Sequence, residues 1–195
     1  MPDSEGVRHW IEDVRREPRA WLWEADRLKR AADLVGSRFQ GEANEWARLA
    51  LSDETDDAGR DSAFELGFPS FMLIGYAIEV LAKGLIVAAN ASDETIDRVM
   101  RTHIDVPLLR EAAVTLEAGD AFLVEQTLYH AVRWSGRYPV PGQKVGERYA
   151  KQVAAAQGSI FSHPGAISTD HYRRACDLFD RMRGQLVALV DAIKP

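Results

Sequence analysis

The stretch that decides the fold is 69-PSFMLIGYAIEVLAKGLIVAAN-90, where Phe71 to Ala89 carry apolar side chains almost without interruption and the charges are Glu79 and Lys83. Apolar residues on all sides of a helix place it inside a bundle, with other helices packed around it. The spacing of Glu79 and Lys83 sets both charges on one helical face, with the acid on the N-terminal side, the favourable order for an ion pair. The same two charges argue against a membrane span, because each costs roughly 2.5–3.5 kcal/mol near the centre of a bilayer. Pro69 is expected to open this helix and Asn90 to close it.

Working outward, the flanking segments read as amphipathic helices. Val7, Trp10, Ile11 and Val14 predict a short accessory helix over 5–16. Pro18 suits a first helical turn, Trp21, Ala25, Leu28, Ala32 and Val35 share a face, and Gly36 is the expected stop. Some helix is expected around Ala43–Leu51, then a mobile acidic loop at about 52–62.

After Asn90, Ser92 is an N-cap with Asp93 and Glu94 in the dipole-favoured first turn. Asp105 starts a helix that turns Leu109, Ala112, Ala113 and Leu116 inward and stops near Gly119. Asp120 caps another helix running to about Ser135, and Val145 to Ala156 form one more, ended by Gly158. The longest apolar stripe runs from Tyr172 through Ala175, Cys176, Phe179, Met182, Leu186, Leu189 and Val190 to Ile193. No segment alternates as a strand does. The expectation is an all-α, up-and-down bundle of four to five long helices with short accessory ones, formed by residues 1–195 as one domain.

Charge is segregated along the chain. Residues 41–66 hold eight acids against Arg48 and Arg60, a local −6 that equals the net charge of the whole chain. Residues 133–151 carry Arg133, Arg137, Lys144, Arg148 and Lys151 against Glu147, so an acidic chain contains a basic segment suited to an anionic ligand. The single cysteine, Cys176, excludes an internal disulfide framework, reads as a small buried hydrophobe, and fits a cytoplasmic protein. The polar N-terminus MPDSEGVRHW has no signal-peptide character.

Signatures of phosphate loops, nucleophile elbows and zinc peptidases are absent from the sequence, and its five histidines keep no metal-ligand spacing, so no metal and no cofactor are expected. Three constellations remain. Glu79 and Lys83 form either a structural ion pair or part of a polar site. In RWSGRYPVP, Trp134 and Tyr138 alternate with Arg133 and Arg137, a pattern that can hold phosphate and stack a base, or that simply caps a helix end at Gly136. Arg98 and His103 lie within reach of each other as an arginine–histidine pair, a pattern loose enough to arise by chance.

Trp21-Leu22 with Ala25, Leu28, Ala31 and Ala32, then GYAIEVLAKGLI (Gly75 to Ile86), then His103-Ile104-Asp105 with Leu108 and Leu109, resemble the HEPN superfamily of prokaryotic helical bundles over residues 18–193. The resemblance implies a function in toxin–antitoxin or defence systems, RNA as the partner, and in many members metal-independent ribonuclease activity. The family signature, an arginine, a polar residue and then a histidine, is matched in spacing by Arg98 and His103. Here Val99 follows the arginine, and the pair falls mid-chain rather than on the last helix. Under this reading His103 is the general base on a ribose 2′-hydroxyl and Arg98, Arg133 or Arg137 stabilises phosphate charge. The other reading is a non-catalytic module that binds a partner protein or a second copy of itself. An open cleft joining Glu79, Lys83, His103, Arg137 and Tyr138 favours the first, and a sealed polar network the second.

Overall fold

A computed structural model describes residues 11–51, 57–132 and 168–193. Among these, all regular structure is helical and no strand occurs. We number the helices α1 (residues 11–16), α2 (Pro18–Leu51), α3 (Asp57–Ala88), α4 (Asp93–Met100), α5 (Val106–Glu111), α6 (Asp120–Leu123) and α7 (Thr169–Ala192). A π-helical segment, Val124–Leu128, continues α6.

The apolar stretch quoted above is the centre of the molecule. Phe71, Ile74, Ala77, Ile78, Leu81 and Ala82 of α3 are buried, and α3 touches α2, α4, α5, the π-helical segment and α7. Leu66–Ala88 is the one segment among the described residues long and apolar enough to cross a membrane, and 78% of its most apolar window is buried against the other helices. That is the placement of a bundle's core helix.

Two contacts fix the directions of the long helices. A Cβ built on Gly84 of α3 would lie 2.8 Å from Trp21 of α2 and 2.9 Å from Leu186 of α7. At the other end, the rings of Phe39, Phe71 and Tyr172 meet edge to face, with Phe71 and Tyr172 5.7 Å apart. Hence α3 runs antiparallel to α2, and α7 runs parallel to α3. The short helices between Asp93 and Val132 carry the chain back, as an up-and-down bundle requires.

Four boundaries differ from the sequence expectation. Gly36 does not end α2, which continues through it to Leu51. A Cβ there would sit 2.2 Å from Tyr172 Cζ, so this glycine serves a helix crossing rather than a helix stop. The Tyr172 hydroxyl donates to the Ala32 carbonyl at 2.6 Å within the same contact.

Pro69 likewise lies inside α3, not at its start. Proline removes one main-chain bond and crowds the preceding turn, at a cost of about 3 kcal/mol. Packing on both sides, Leu66 against the core and Phe71 on Phe39, outweighs that cost. The acidic tract is therefore helical from Asp57 onward, and its residues 52–56 lie outside the described residues.

The helix begun at Asp105 stops at Glu111. Ala113 adopts φ 54°, and Val114 N–H reaches the Leu109 carbonyl at 3.0 Å, so the chain turns back and Val114 is buried while Ala113 is exposed. Gly119, at φ 95°, holds the cap position expected of Asp120. Asp120 instead accepts from the Glu117 N–H at 2.8 Å and from Arg181 at 2.6 Å. Local spacing does not reveal the widened turn at Val124–Leu128.

Other expectations match. Ser92 caps α4 through the Thr95 N–H, Asp105 caps α5 through the Leu108 N–H, and Asn90 at φ 60° follows the end of α3. α7 buries Tyr172, Ala175, Phe179, Met182, Leu186 and Val190, whereas Leu189 and Ile193, at the C-terminal end of the expected stripe, are exposed. Cys176 beside that stripe is half-buried. The helix expected over 145–156 lies outside the described residues.

Candidate functional site

Glu79 projects from the middle of α3 towards the turn joining α4 to α5. That turn is built locally. Thr102 N–H closes onto the Val99 carbonyl at 3.0 Å, the Thr102 hydroxyl donates to the Arg98 carbonyl, and Asp105 begins α5. Between these two helix ends, Ile104 drives its side chain fully into the core and anchors the turn. Its N–H then points inward with no helical partner. A buried unpaired amide costs about 1–3 kcal/mol.

The Glu79 carboxylate meets that need. Its Oε2 accepts the Ile104 N–H at 2.9 Å, and its Oε1 accepts from Lys83 Nζ at 2.8 Å. Both charged side chains are only 8% exposed. Beside Ile104, His103 turns Nδ1 towards Glu79 Oε2 at 3.5 Å, and its side chain is 38% exposed. Glu79, Lys83 and His103 are thus brought together, with the pair sealed in the bundle and the imidazole at its surface.

Arg98 belongs to a different grouping. Its guanidinium is paired with Glu111 of α5, and the hydrogen bond to that carboxylate holds the arginine above its ordinary range. Arg98 therefore turns to α5 while His103 turns to α3, and among the described residues the two share no partner. Arg133, Trp134, Arg137 and Tyr138 lie outside the described residues. The chain reaches them from Val132, which packs on Gly75 and whose carbonyl accepts the Tyr76 hydroxyl at 3.4 Å. Gly75 and Tyr76 lie within about one turn of Glu79 on α3.

Several charged residues that the sequence left unassigned are tied into the fold. On α7, Arg181 binds Asp120, Arg183 binds Asp26 in two bonds, and Arg173 and Arg174 both bind Asp170. Arg15 and Arg16 clip α1 to Asp97 and Asp93 of α4, and the Trp21 indole donates to the Arg15 carbonyl at 3.0 Å. The hydrogen bond from Arg15 holds Asp97 below the usual carboxylate range. Of these contacts only the short-range pair from Asp170 has a sequence signal, its helical spacing. The other ion pairs join residues far apart in the chain, and the Trp21–Arg15 bond spans six positions across the break between α1 and α2.

Among the described residues, no three His, Cys, Asp or Glu side chains are grouped to hold a metal ion. A shallow groove on α4 is lined by Glu94, Thr95, Asp97, Arg98, Arg101 and Thr102, of mixed charge. No known protein family, curated protein or solved structure matches the chain.

Proposed function

We propose that this chain is a divergent HEPN-like module that binds RNA or a similar phosphate-bearing ligand, and that it acts by binding rather than by cleavage. The observation that carries the reading is the placement of His103, a surface imidazole backed by a buried carboxylate. Its shielded Nδ1 faces that carboxylate at 3.5 Å, which leaves the remainder of the ring towards solvent, where a ligand can meet it. The basic residues 133–151, which follow closely on the Val132 anchor, would supply phosphate contacts, and Trp134 and Tyr138 stacking surfaces. Arg98, committed to Glu111, is poorly placed to serve His103 as the partner of a cleavage reaction.

The test is titration with labelled single-stranded RNA at low and moderate salt, followed by a gel in chelator. Binding that weakens as salt rises, lost on Arg137→Ala with the fold intact and without cleavage, supports the reading. His103-dependent cleavage would instead restore the ribonuclease role. Absence of binding at low salt would leave the module that pairs with itself or with another protein. That second reading is favoured by Trp23 and Leu34, which stand exposed on the outer face of α2. Concentration-dependent size on a sizing column, abolished by Leu34→Glu, would support it.

A further inference from the structure

We propose that the outer faces of α2 and α7 together form a docking surface for a second copy of this chain, with α2 of each copy lying along α7 of the other. The proposal rests on the self-pairing reading above and gives it a surface. RNA binding bears on it in neither direction.

Because α2, α3 and α7 all pack on one another, the sides of α2 and α7 turned away from α3 form one continuous surface. On α2 that side carries Trp23, Arg27, Arg30 and Leu34, all exposed and opposite the buried Ala25 and Ala32. Trp23 is 61% and Leu34 77% exposed, and the Arg27 guanidinium lies 4.7 Å from the centre of the Trp23 ring. This face is a basic ridge with large apolar side chains standing on it. Tryptophan and arginine are also the residues most often found to anchor protein interfaces.

The outer side of α7 has the opposite character. Asp177, Asp180, Gly184, Ala188 and Asp191 follow helical spacing and are exposed, opposite the buried Ala175, Phe179 and Met182. A Cβ on Gly184 would meet nothing within 4 Å. Glycine weakens a helix interior, and no neighbour in this chain needs the room left there. The face is therefore an acidic trough with small residues along its floor.

The register of the two helices matches the ridge to the trough. Arg183 binds Asp26, and Lys29 Nζ lies 5.7 Å from the centre of the Phe179 ring. Since α2 and α7 run antiparallel, Arg30 comes level with Phe179, Trp23 with Leu186 and Arg19 with Val190. A two-fold axis parallel to the helices keeps these levels and exchanges α2 for α7 across the interface. Trp23 then falls between Gly184 and Ala188 of the second copy, and Leu34 lies over the aliphatic stem of Arg173. Arg19 faces Asp191, Arg27 faces Asp180, and Arg30 faces Asp177. Among the described residues Arg19, Arg30, Asp177 and Asp191 form no ion pair within their own chain. Docking α2 on α2 would instead set arginine against arginine, and α7 on α7 aspartate against aspartate. Such like-charge contacts oppose association, so the charges select the exchanged pairing.

Sedimentation velocity of the full chain over a wide range of concentration tests the surface, with circular dichroism of each variant to check that its helices are intact. Wild type should form a dimer. Arg19→Glu/Arg30→Glu and, separately, Asp177→Lys/Asp191→Lys should each weaken it by roughly tenfold or more, and the quadruple variant should recover most of the loss. Gly184→Leu, whose side chain has room within the monomer, should also weaken the dimer by roughly tenfold or more, by filling the trough that receives Trp23. A wild type that stays monomeric throughout overturns the proposal together with the self-pairing reading, and needs no variant to fold. A dimer indifferent to Gly184→Leu and to both charge reversals overturns this surface and leaves self-pairing on another face. A quadruple variant no better than either charge reversal overturns the pairing of α2 with α7.

Discussion

Replacing Glu79 by Gln should produce a loss of stability that shrinks as pH rises. The substitution leaves Lys83 Nζ in a site 8% exposed, with its carboxylate partner gone. A buried, unpaired charge costs about 3–5 kcal/mol. The lysine can escape by losing its proton, and from an ordinary pKa near 10.4 that costs at most about 4.6 kcal/mol at pH 7 and about 1.9 at pH 9. In the variant the folded-state lysine is depressed below its unfolded value. The unfolded chain then binds the extra proton, and stability rises with pH at up to about 1.4 kcal/mol per unit.

Lys83→Met should cost less, about 1–3 kcal/mol, because Glu79 keeps the Ile104 N–H and His103 beside it. The double variant Glu79→Gln/Lys83→Met should cost less than the sum by about 2 kcal/mol or more, since the second change removes the charge that the first exposed. Urea unfolding followed by tryptophan fluorescence at pH 7 and pH 9, with unchanged denaturant slopes, measures all three. Additivity within about 0.5 kcal/mol, or a Glu79→Gln loss indifferent to pH, would refute the reasoning.

Gly36→Ala should destabilise by about 1–3 kcal/mol, because its methyl group would meet the Tyr172 ring. Gly41→Ala, with open space around it, should instead stabilise by up to about 1 kcal/mol, and equal effects in denaturation would discredit the α2–α7 crossing. Burial pushes the Tyr172 hydroxyl and the Cys176 thiol above their ordinary values of 10.0 and 9.0, so the folded state keeps protons that the unfolded chain releases. Stability should therefore hold below about pH 9 and fall above it, and Tyr172→Phe/Cys176→Ala should flatten the decline. An unchanged alkaline slope in that variant would count against the burial of both groups.

What could be read from the sequence divides by physical range. The caps at Ser92 and Asp105, the stripe of α7 and the saturated α3 are local patterns, and they carry through to the fold. Gly36 and Pro69 mislead because their local tendency to break a helix is outweighed by partners from elsewhere: Tyr172 is 136 positions from Gly36, and the Phe39–Phe71 contact holds the helix next to Pro69. Ala113 gives no warning of its left-handed backbone. The candidate site behaves the same way. Helical spacing is enough to foresee the Glu79–Lys83 pair, whereas the Ile104 amide reaches Glu79 across 25 positions and the Arg98–Glu111 pairing depends on how α4 and α5 meet.

The parallel placement of α7 against α3 has a consequence for the order in which the molecule assembles. α2 and α3 adjoin in the chain and can meet as a hairpin over a short closure. The contacts of α7 span much longer separations, 140 positions between Tyr172 and Ala32 and 157 between Arg183 and Asp26. Closing the longer loop costs only a few tenths to a few kcal/mol more, since that entropy grows with the logarithm of length. On a ribosome the difference is one of time, because Tyr172 and Leu186 are synthesised long after the hairpin they complete. Until then the troughs at Gly36 and Gly84 stand open, each shaped for a side chain not yet made. The nascent hairpin is thus an apolar surface awaiting its last helix, and the period between the two is when this chain is most exposed to misassembly.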